Sequence, residues 1–249
     1  MDMFALLGVI VAFAAVLLGN ALEGGQLEAL FDGPALIIVL GGTLGAVVLQ
    51  TPIKKFVRAC HLLKWVIMPP QYDTPAEIEL MGVWSRVARR EGLLGLENII
   101  DEIEDPFKRK GLELVVDGVE PATIRRLMEA DSDTRIDADL AAARVFKSMG
   151  GYAPTIGILG AVIGLIQVMG NLANPEQLGQ GIATAFVATV YGVGFANLVF
   201  LPVADRLKTI IETASNQNDL YIEGLIAIAE GEHPKSIEVR LKGISQPAF

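Results

Sequence analysis

Three threonines lie within the apolar stretch 149–204, where a hydroxyl side chain could take part in chemistry. Thr155 directly follows Pro154, and Thr184 and Thr189 lie further along the chain. A hydroxyl can both donate and accept a hydrogen bond, so such groups can line a proton path or contribute oxygen ligands to a cation. A threonine inside a helix also commonly bonds a carbonyl of its own preceding turn, so each residue taken alone indicates little.

Two prolines in the same stretch are informative as a pair. Pro154 and Pro202 each lack a backbone N–H, and each therefore leaves a carbonyl without its helical donor, which lipid cannot supply. Both lie close to the point where an apolar segment meets a charged one. A bend at either proline could couple a movement of the apolar segment to the charged segment beside it. A simple role at a helix end explains the prolines as well.

Small residues recur in both halves of this stretch. Gly157, Gly160, Ala161 and Gly164 are one to four residues apart, which places them on one face of a helix. Residues 181–194 repeat the pattern with glycine, alanine and threonine. Such faces allow helices to approach closely in lipid, so tight packing is the simplest interpretation.

The distribution of charge along the chain indicates which segments lie in a membrane and which lie outside it, and therefore where these residues are held. All 20 Lys and Arg residues lie in 52–148 and 205–249, whereas 1–51 and 149–204 carry acidic residues alone. Basic residues stay on the cytoplasmic side of a membrane, so the two basic segments are expected in the cytoplasm.

Four uncharged or nearly uncharged runs are long enough to cross a bilayer, which takes roughly 20 helical residues. They are 3–20, 33–51, 150–172 and 179–204. An even number of crossings places both termini in the cytoplasm. The acidic residues then fall in the outer connections: Glu23, Glu28, Asp32 and Glu176. The sequence therefore predicts an all-α polytopic membrane protein with four transmembrane helices, since a soluble helical core rarely contains four such runs.

The segment between the second and third spans is predicted to be a compact helical domain, because its apolar residues have helical spacing and no strand alternation. Helix starts are indicated at Thr74-Pro75, Asp105-Pro106 and Glu120-Pro121, where proline suits the first turn. Further helices are expected over 93–103 and from Asp133 toward the third span.

The predicted domains follow from these segments. They are 1–51 with spans 1 and 2 and a short periplasmic connection, 52–148 as the helical cytoplasmic domain, 149–204 with spans 3 and 4, and 205–249 as a cytoplasmic helical tail.

Several classes of function are disfavoured. A net charge of −9 argues against nucleic acid as a partner. Cys60, His61 and the distant His233 form no metal-ligand cluster, and no nucleophile–base pair or phosphate loop is present, so no cofactor, metal or enzyme activity is predicted. The four spans also lack Asp, Glu, Lys, Arg and His, one of which proton-moving membrane proteins usually place in the membrane. If this chain conducts ions, a partner must supply the carboxylate.

Three stretches carry a specific resemblance to a known family. They are 153–160 (APTIGILG), 188–192 (ATVYG) and 197–205 (NLVFLPVAD). With the four-span layout and the large loop, the whole chain resembles the MotA/PomA-type subunit of the bacterial flagellar stator, in the MotA/TolQ/ExbB proton-channel superfamily. Relatives of the ExbB/TolQ type look similar around the two small-residue spans, but they usually have three spans.

The resemblance implies a mechanism and a place in the cell. Members form a pentamer in the bacterial inner membrane around the single helices of two MotB-type partners. An Asp of the partner takes up and releases the ion, spans 3 and 4 line the pore, and ion flow turns a rotor that contains a FliG-type protein.

The resemblance also assigns roles to individual residues. By motif these are Pro154 and Pro202 for coupling, Thr155 and Thr189 on the pore side, and Arg89, Arg90 and Glu97 for engaging the rotor. Sodium-driven relatives carry a threonine where this chain has Ala161. Because dehydrated sodium needs several oxygen ligands, the missing hydroxyl favours protons over sodium.

Two other functions stay open at this point. One is an energising subunit that transmits ion flow to a periplasmic or outer-membrane partner, against which the four spans and the charged loop residues count. The other is a structural scaffold or passive channel without a motor role.

Overall fold

The computed structural model describes residues 3–25, 27–170 and 175–245, and over these ranges the fold is all-α, as predicted. The α-helices are α1 Met3–Leu22, α2 Gly33–Leu36, α3 Gly42–Gln50, α4 Ile53–Ile67, α5 Thr74–Glu91, α6 Glu97–Ile100, α7 Pro106–Val116, α8 Pro121–Gly170, α9 Pro175–Phe195, α10 Leu201–Ala229 and α11 Pro234–Ser245. Short 3₁₀ helices lie at Leu27–Leu30 and Leu93–Leu96, and π-helical turns lie at Ile37–Gly41 and Ala196–Phe200. The predicted outer connection near Glu176 falls partly on 171–174, outside the described residues.

The chain forms two compact units. The first comprises Met1–Pro69 and Asp139–Ile210, and the second comprises Pro70–Ala138 and Ile211–Phe249. Helices α8 and α10 continue without a break through residues 148 and 204, where the sequence analysis placed domain boundaries.

Apolar helices dominate the first unit. Three helical stretches are long and apolar enough to cross a membrane, and Leu7–Leu22 is a shorter apolar helix. The three are Glu28–Gln50, Pro121–Gly170 and Gly181–Ala229. Only 22% of the apolar window in each is buried within the chain, so most of this surface is left for lipid or for other chains.

Helix α8 is a single helix of 50 residues. The expectation of a separate helix from Asp133 is wrong, because neither glycine nor proline interrupts residues 122–149. Arg58 of α4 donates two hydrogen bonds to the carboxylate of Asp139 on α8, at 2.6 and 2.9 Å. This paired contact fixes α4 against α8.

The second unit closes around a core of aromatic side chains. Tyr221 of α10 is buried against Trp84 and Phe107, with ring centroids 6.3 and 6.2 Å away. Its hydroxyl donates to the carbonyl of Lys108 at 2.7 Å. Burial raises the pKa of Tyr221, so the hydroxyl stays protonated and keeps this bond.

The predicted helix starts at proline are confirmed, with one correction. Asp105 caps α7 by accepting the N–H of Phe107 at 2.9 Å. The cap of α5 is Asp73 rather than Thr74. The helix expected over 93–103 is shorter, because a 3₁₀ turn precedes the four residues of α6.

Candidate functional site

The small residues of α8 and α9 bring two helix backbones into contact. A Cβ atom added to Gly157 would lie 2.8 Å from the carbonyl oxygen of Ala188. One added to Gly192 would lie 2.6 Å from the carbonyl oxygen of Ala153. These distances leave no room for a methyl group, so the predicted close packing is confirmed for these glycines.

Pro154 lies at this contact, inside α8. A Cβ added to Gly192 would lie 3.2 Å from the Cα of Pro154. Because proline has no N–H, the carbonyl of Gly150, four residues earlier, lacks its helical donor. Gly150 packs on Leu201, whose Cδ2 would lie 2.6 Å from an added Cβ. Leu201 precedes Pro202, so one packing contact joins the surroundings of the two prolines.

Pro202 is the second residue of α10 and follows a π-helical turn. The N–H of Leu201 donates to the carbonyl of Ala196, five residues earlier. Pro202 cannot donate to Leu198, four residues earlier, which removes one bond that a regular α-helical turn would have. Turns of this kind are rare and frequently occur at functional sites.

The two threonines predicted to face the pore bond carbonyls of their own helices. Thr155 Oγ1 donates to Tyr152 at 2.8 Å, and Thr189 Oγ1 donates to Ala185 at 3.3 Å. Thr155 is exposed and Thr189 is half-buried, so each oxygen can still accept a hydrogen bond from another molecule. Ala161 is partly buried on α8 and offers no hydroxyl.

Thr155 and Thr189 share their helix faces with apolar residues that are exposed at spacings of three or four. These faces are Thr155, Leu159, Val162 and Ile166 on α8, and Phe186, Thr189 and Val193 on α9. Apolar side chains at such spacing form a strip that suits another helix.

Thr184 has a different role from Thr189. Its hydroxyl donates to Asp32 Oδ2 at 2.6 Å, while Asp32 Oδ1 accepts the N–H of Ala35 and caps α2. The N–H of Asp32 donates to the Tyr191 hydroxyl at 3.1 Å, and this hydroxyl donates to the carbonyl of Leu30 at 2.7 Å. The sequence placed Asp32 in an outer connection but gave no signal for its partners Thr184 and Tyr191, which are more than 150 residues away.

Arg89, Arg90 and Glu97 lie in the second unit, and all three are exposed. Arg89 Nη1 lies 3.5 Å from the carbonyl oxygen of Gly231, and Arg90 Nη2 lies 3.3 Å from Glu91 Oε1. The side chain of Arg90 is 83% exposed. Such contacts are weak, so both guanidinium groups can turn toward another protein.

The two arginines share a cleft of about 460 Å³. Arg86, Val87 and His233 also line it, whereas Glu97 does not belong to its lining. The structure therefore brings Arg89 and Arg90 together and leaves Glu97 outside this cleft.

Charged side chains also join α8, α10 and α11 in the second unit. Glu223 of α10 accepts hydrogen bonds from Arg125 and Arg240, each at 2.5 Å. The hydrogen bond from Arg125, followed by the charges of both arginines, lowers the pKa of Glu223. Desolvation, with the nearby charge of Asp133 as the next cause, raises the pKa of Asp219. Within the described ranges, no three His, Cys, Asp or Glu side chains are grouped so as to hold a metal ion.

Known proteins match this chain along nearly its whole length. The model of the MotA/TolQ/ExbB proton channel family matches residues 99–219, and that of the motility protein A N-terminal region matches residues 6–92. Motility protein A of Bacillus subtilis (strain 168) is 37% identical over 97% of this chain and 90% of its own length. The chain belongs to the motility protein A family.

Two further members agree with this assignment. Chemotaxis protein PomA of Vibrio alginolyticus is 30% identical over 97% of this chain and 94% of its own length. The structure of MotAB from C. jejuni contains a chain that matches with a TM-score of 0.94 at 29% identity, covering 100% of this chain and 98% of that one.

Family membership confirms the predicted class of function. This chain is a stator subunit of the bacterial flagellar motor and not an enzyme. The likeness does not test the roles of individual residues, so those assigned to Thr155, Thr189, Pro154 and Pro202, and to the rotor-side residues, stay predictions.

Proposed function

We propose that this stator subunit guides protons along the exposed faces of α8 and α9, and that a MotB-type partner supplies the ion-binding Asp. The observation that carries the proposal is the glycine contact between α8 and α9. It holds together two helices that each present a hydroxyl, on Thr155 or Thr189, within an exposed apolar face. Neither of these two faces contains an ionisable side chain, and proton relays in membranes use one, so we infer that another chain brings it.

The strip on α8 suits the single helix of such a partner. Its apolar side chains recur at helical spacing beside Thr155, and a helix packed there would cover surface that this chain leaves exposed. Similarity to a chain of MotAB from C. jejuni supports a complex of this kind. By family resemblance, five copies surround two partner helices.

The proposed orientation places four helical spans in the bacterial inner membrane, with both termini in the cytoplasm. The confinement of all Lys and Arg residues to 52–148 and 205–249 supports it. In this arrangement the second unit meets the rotor. Arg89, Arg90 and Glu97 are exposed, and the two arginines make only weak contacts, so all three are accessible to charges on a FliG-type protein.

Protons are the proposed ion because Ala161 stands where a sodium ligand would require a hydroxyl. The two threonines that remain in the predicted path offer few oxygens to a dehydrated cation. A proton needs only the carboxylate of the partner and a hydrogen-bonded route to it.

Co-purification with a single-span protein that bears an Asp near the start of its helix tests the proposal. Native mass measurement should show a multi-copy ring that retains fewer copies of the partner.

Val162→Trp, on the α8 strip, should lower partner retention about tenfold, since a misplaced bulky group costs about 1–3 kcal/mol and about 1.4 kcal/mol corresponds to a factor of ten. Leu18→Trp is the matched control, because Leu18 is exposed on α1. A lone oligomer that conducts protons by itself would contradict the proposal.

A further inference from the structure

A cavity of about 430 Å³ lies among α1, the end of α4, the π-helical turn and the start of α10, all within the first unit. Gly8, which has no side chain, and Ala12 line it from α1, and Val66 lines it from α4. A Cβ added to Gly8 would meet no atom within 4 Å, so the space at this wall is open.

The opposite wall changes from apolar to basic along one helix face. Val199, Val203 and Arg206, at spacings of four and three, form one row along it, and Asn197, Leu198 and Pro202 line the same wall. The cavity therefore has a long apolar portion and a guanidinium at one end. This pattern matches an amphipathic molecule with a hydrocarbon chain and an anionic head group.

The surroundings favour a lipid as that molecule. Helix α1 has no charged residue over Met3–Leu22, and many of its apolar side chains are exposed. Helix α4 carries four Lys and Arg residues and no acid. In the orientation proposed above, Arg206 and α4 lie toward the cytoplasm, where basic pockets between spanning helices bind anionic lipid head groups.

We propose that this cavity binds an anionic phospholipid of the cytoplasmic leaflet. Its phosphate contacts Arg206 and an acyl chain lies along Gly8, Ala12 and Val199. The inference rests on the orientation given under the proposed function. Because Pro202 and the π-helical turn form part of the wall, the bound lipid contacts the segment to which coupling is assigned, and lipid composition would modulate torque.

Native mass spectrometry of the stator complex tests this after release from vesicles with equal phosphatidylglycerol and phosphatidylcholine. The wild type should retain phosphatidylglycerol in about fivefold preference, which corresponds to the roughly 1 kcal/mol that one basic residue contributes near an anionic surface. Arg206→Gln should abolish the preference. Gly8→Leu should lower retention of both lipids, because its side chain occupies the open space.

Gly19→Leu is the matched control, since a Cβ at Gly19 on the same helix also meets no atom within 4 Å, yet Gly19 does not line the cavity. A photo-crosslinking residue at position 8 should capture phospholipid in membranes. Capture of a second copy of the chain, or unchanged lipid retention by Gly8→Leu, would overturn the inference. If the complex retains its partner but no phospholipid, the lipid site is contradicted and the proposed function is not. If the chain retains phospholipid but no partner, the proposed function is contradicted.

Discussion

Thr184 and Thr189 lie five residues apart in α9, yet their hydroxyls bond different groups. Thr184→Val leaves Asp32 Oδ2 without its donor at a position where Thr184 is only 9% exposed. We expect a loss of about 1–3 kcal/mol in stability. Thr189→Val removes a bond within one helix, so stability should change by less than about 0.5 kcal/mol, while proton-driven rotation slows.

Thermal unfolding of the purified complex and rotation speed of tethered cells measure the two effects separately. Equal loss of stability in both variants would contradict the assignment of Thr184 to the fold. Full rotation speed in Thr189→Val would remove Thr189 from the proton path.

The stability of the second unit depends on pH through Glu223, and the direction in which the pKa of Glu223 is shifted determines the sign of that dependence. Because hydrogen bonding to Arg125 lowers this pKa in the folded state, the ionised carboxylate stabilises the fold above its ordinary pKa of 4.5. The contribution is lost as pH falls through the lowered folded-state value. We expect Glu223→Gln to be less stable near neutral pH and to lose less stability on acidification.

The fluorescence of Trp84, in a background carrying Trp65→Phe, reports unfolding of this unit, since the chain has two tryptophans. Asp219→Asn is the control. Desolvation raises the pKa of Asp219, so its protonation at low pH favours the folded state, which is opposite to the effect of protonating Glu223. Parallel pH profiles for the wild type and Glu223→Gln would show that the arginine pairs do not determine the acid response.

The π-helical turn before Pro202 lies where that proline removes a backbone donor from the helix. Pro202→Ala supplies an N–H that can bond the carbonyl of Leu198 and make the turn regular. We therefore expect an assembled complex of equal or higher stability that produces little torque. Pro34→Ala is the control, because Pro34 lies in the first turn of α2, where an N–H has no helical acceptor.

Partner co-purification and rotation of tethered cells distinguish the possible results. A Pro202→Ala subunit that no longer assembles would identify the proline as a packing element and not as a coupling element.

Sequence patterns predicted the helices well where local chemistry decides their ends. Asp105 followed by proline gives both a cap and a fixed φ, so the start of α7 was predictable. The sequence analysis began a separate helix at Asp133 because the surrounding stretch is polar. The stretch contains no glycine or proline, however, and α8 continues through it. The π-helical turn and the bond from Thr184 to Asp32 depend on packing between distant segments, which local patterns do not encode.

At the scale of the molecule, two of the three points where the chain passes between the compact units lie inside helices. They are at residues 138–139 in α8 and 210–211 in α10. Each of these helices therefore contains residues of both units, and Pro154 and Pro202 lie in the parts that belong to the first unit. The proposed coupling prolines thus share a helix with residues of the unit that is predicted to engage the rotor.

The driving ion is a property of the whole motor. One charge crossing about 100 mV releases about 2.3 kcal/mol, several times thermal energy, so protons at a normal membrane potential can bias a step of a symmetric ring. We expect rotation to persist in sodium-free medium at constant potential and to stop when the potential is removed. Ala161→Thr should keep proton-driven rotation, because one added hydroxyl does not complete a sodium site. Rotation that stops without sodium would overturn the assignment, since the described path would then have to supply ligands that Ala161 lacks.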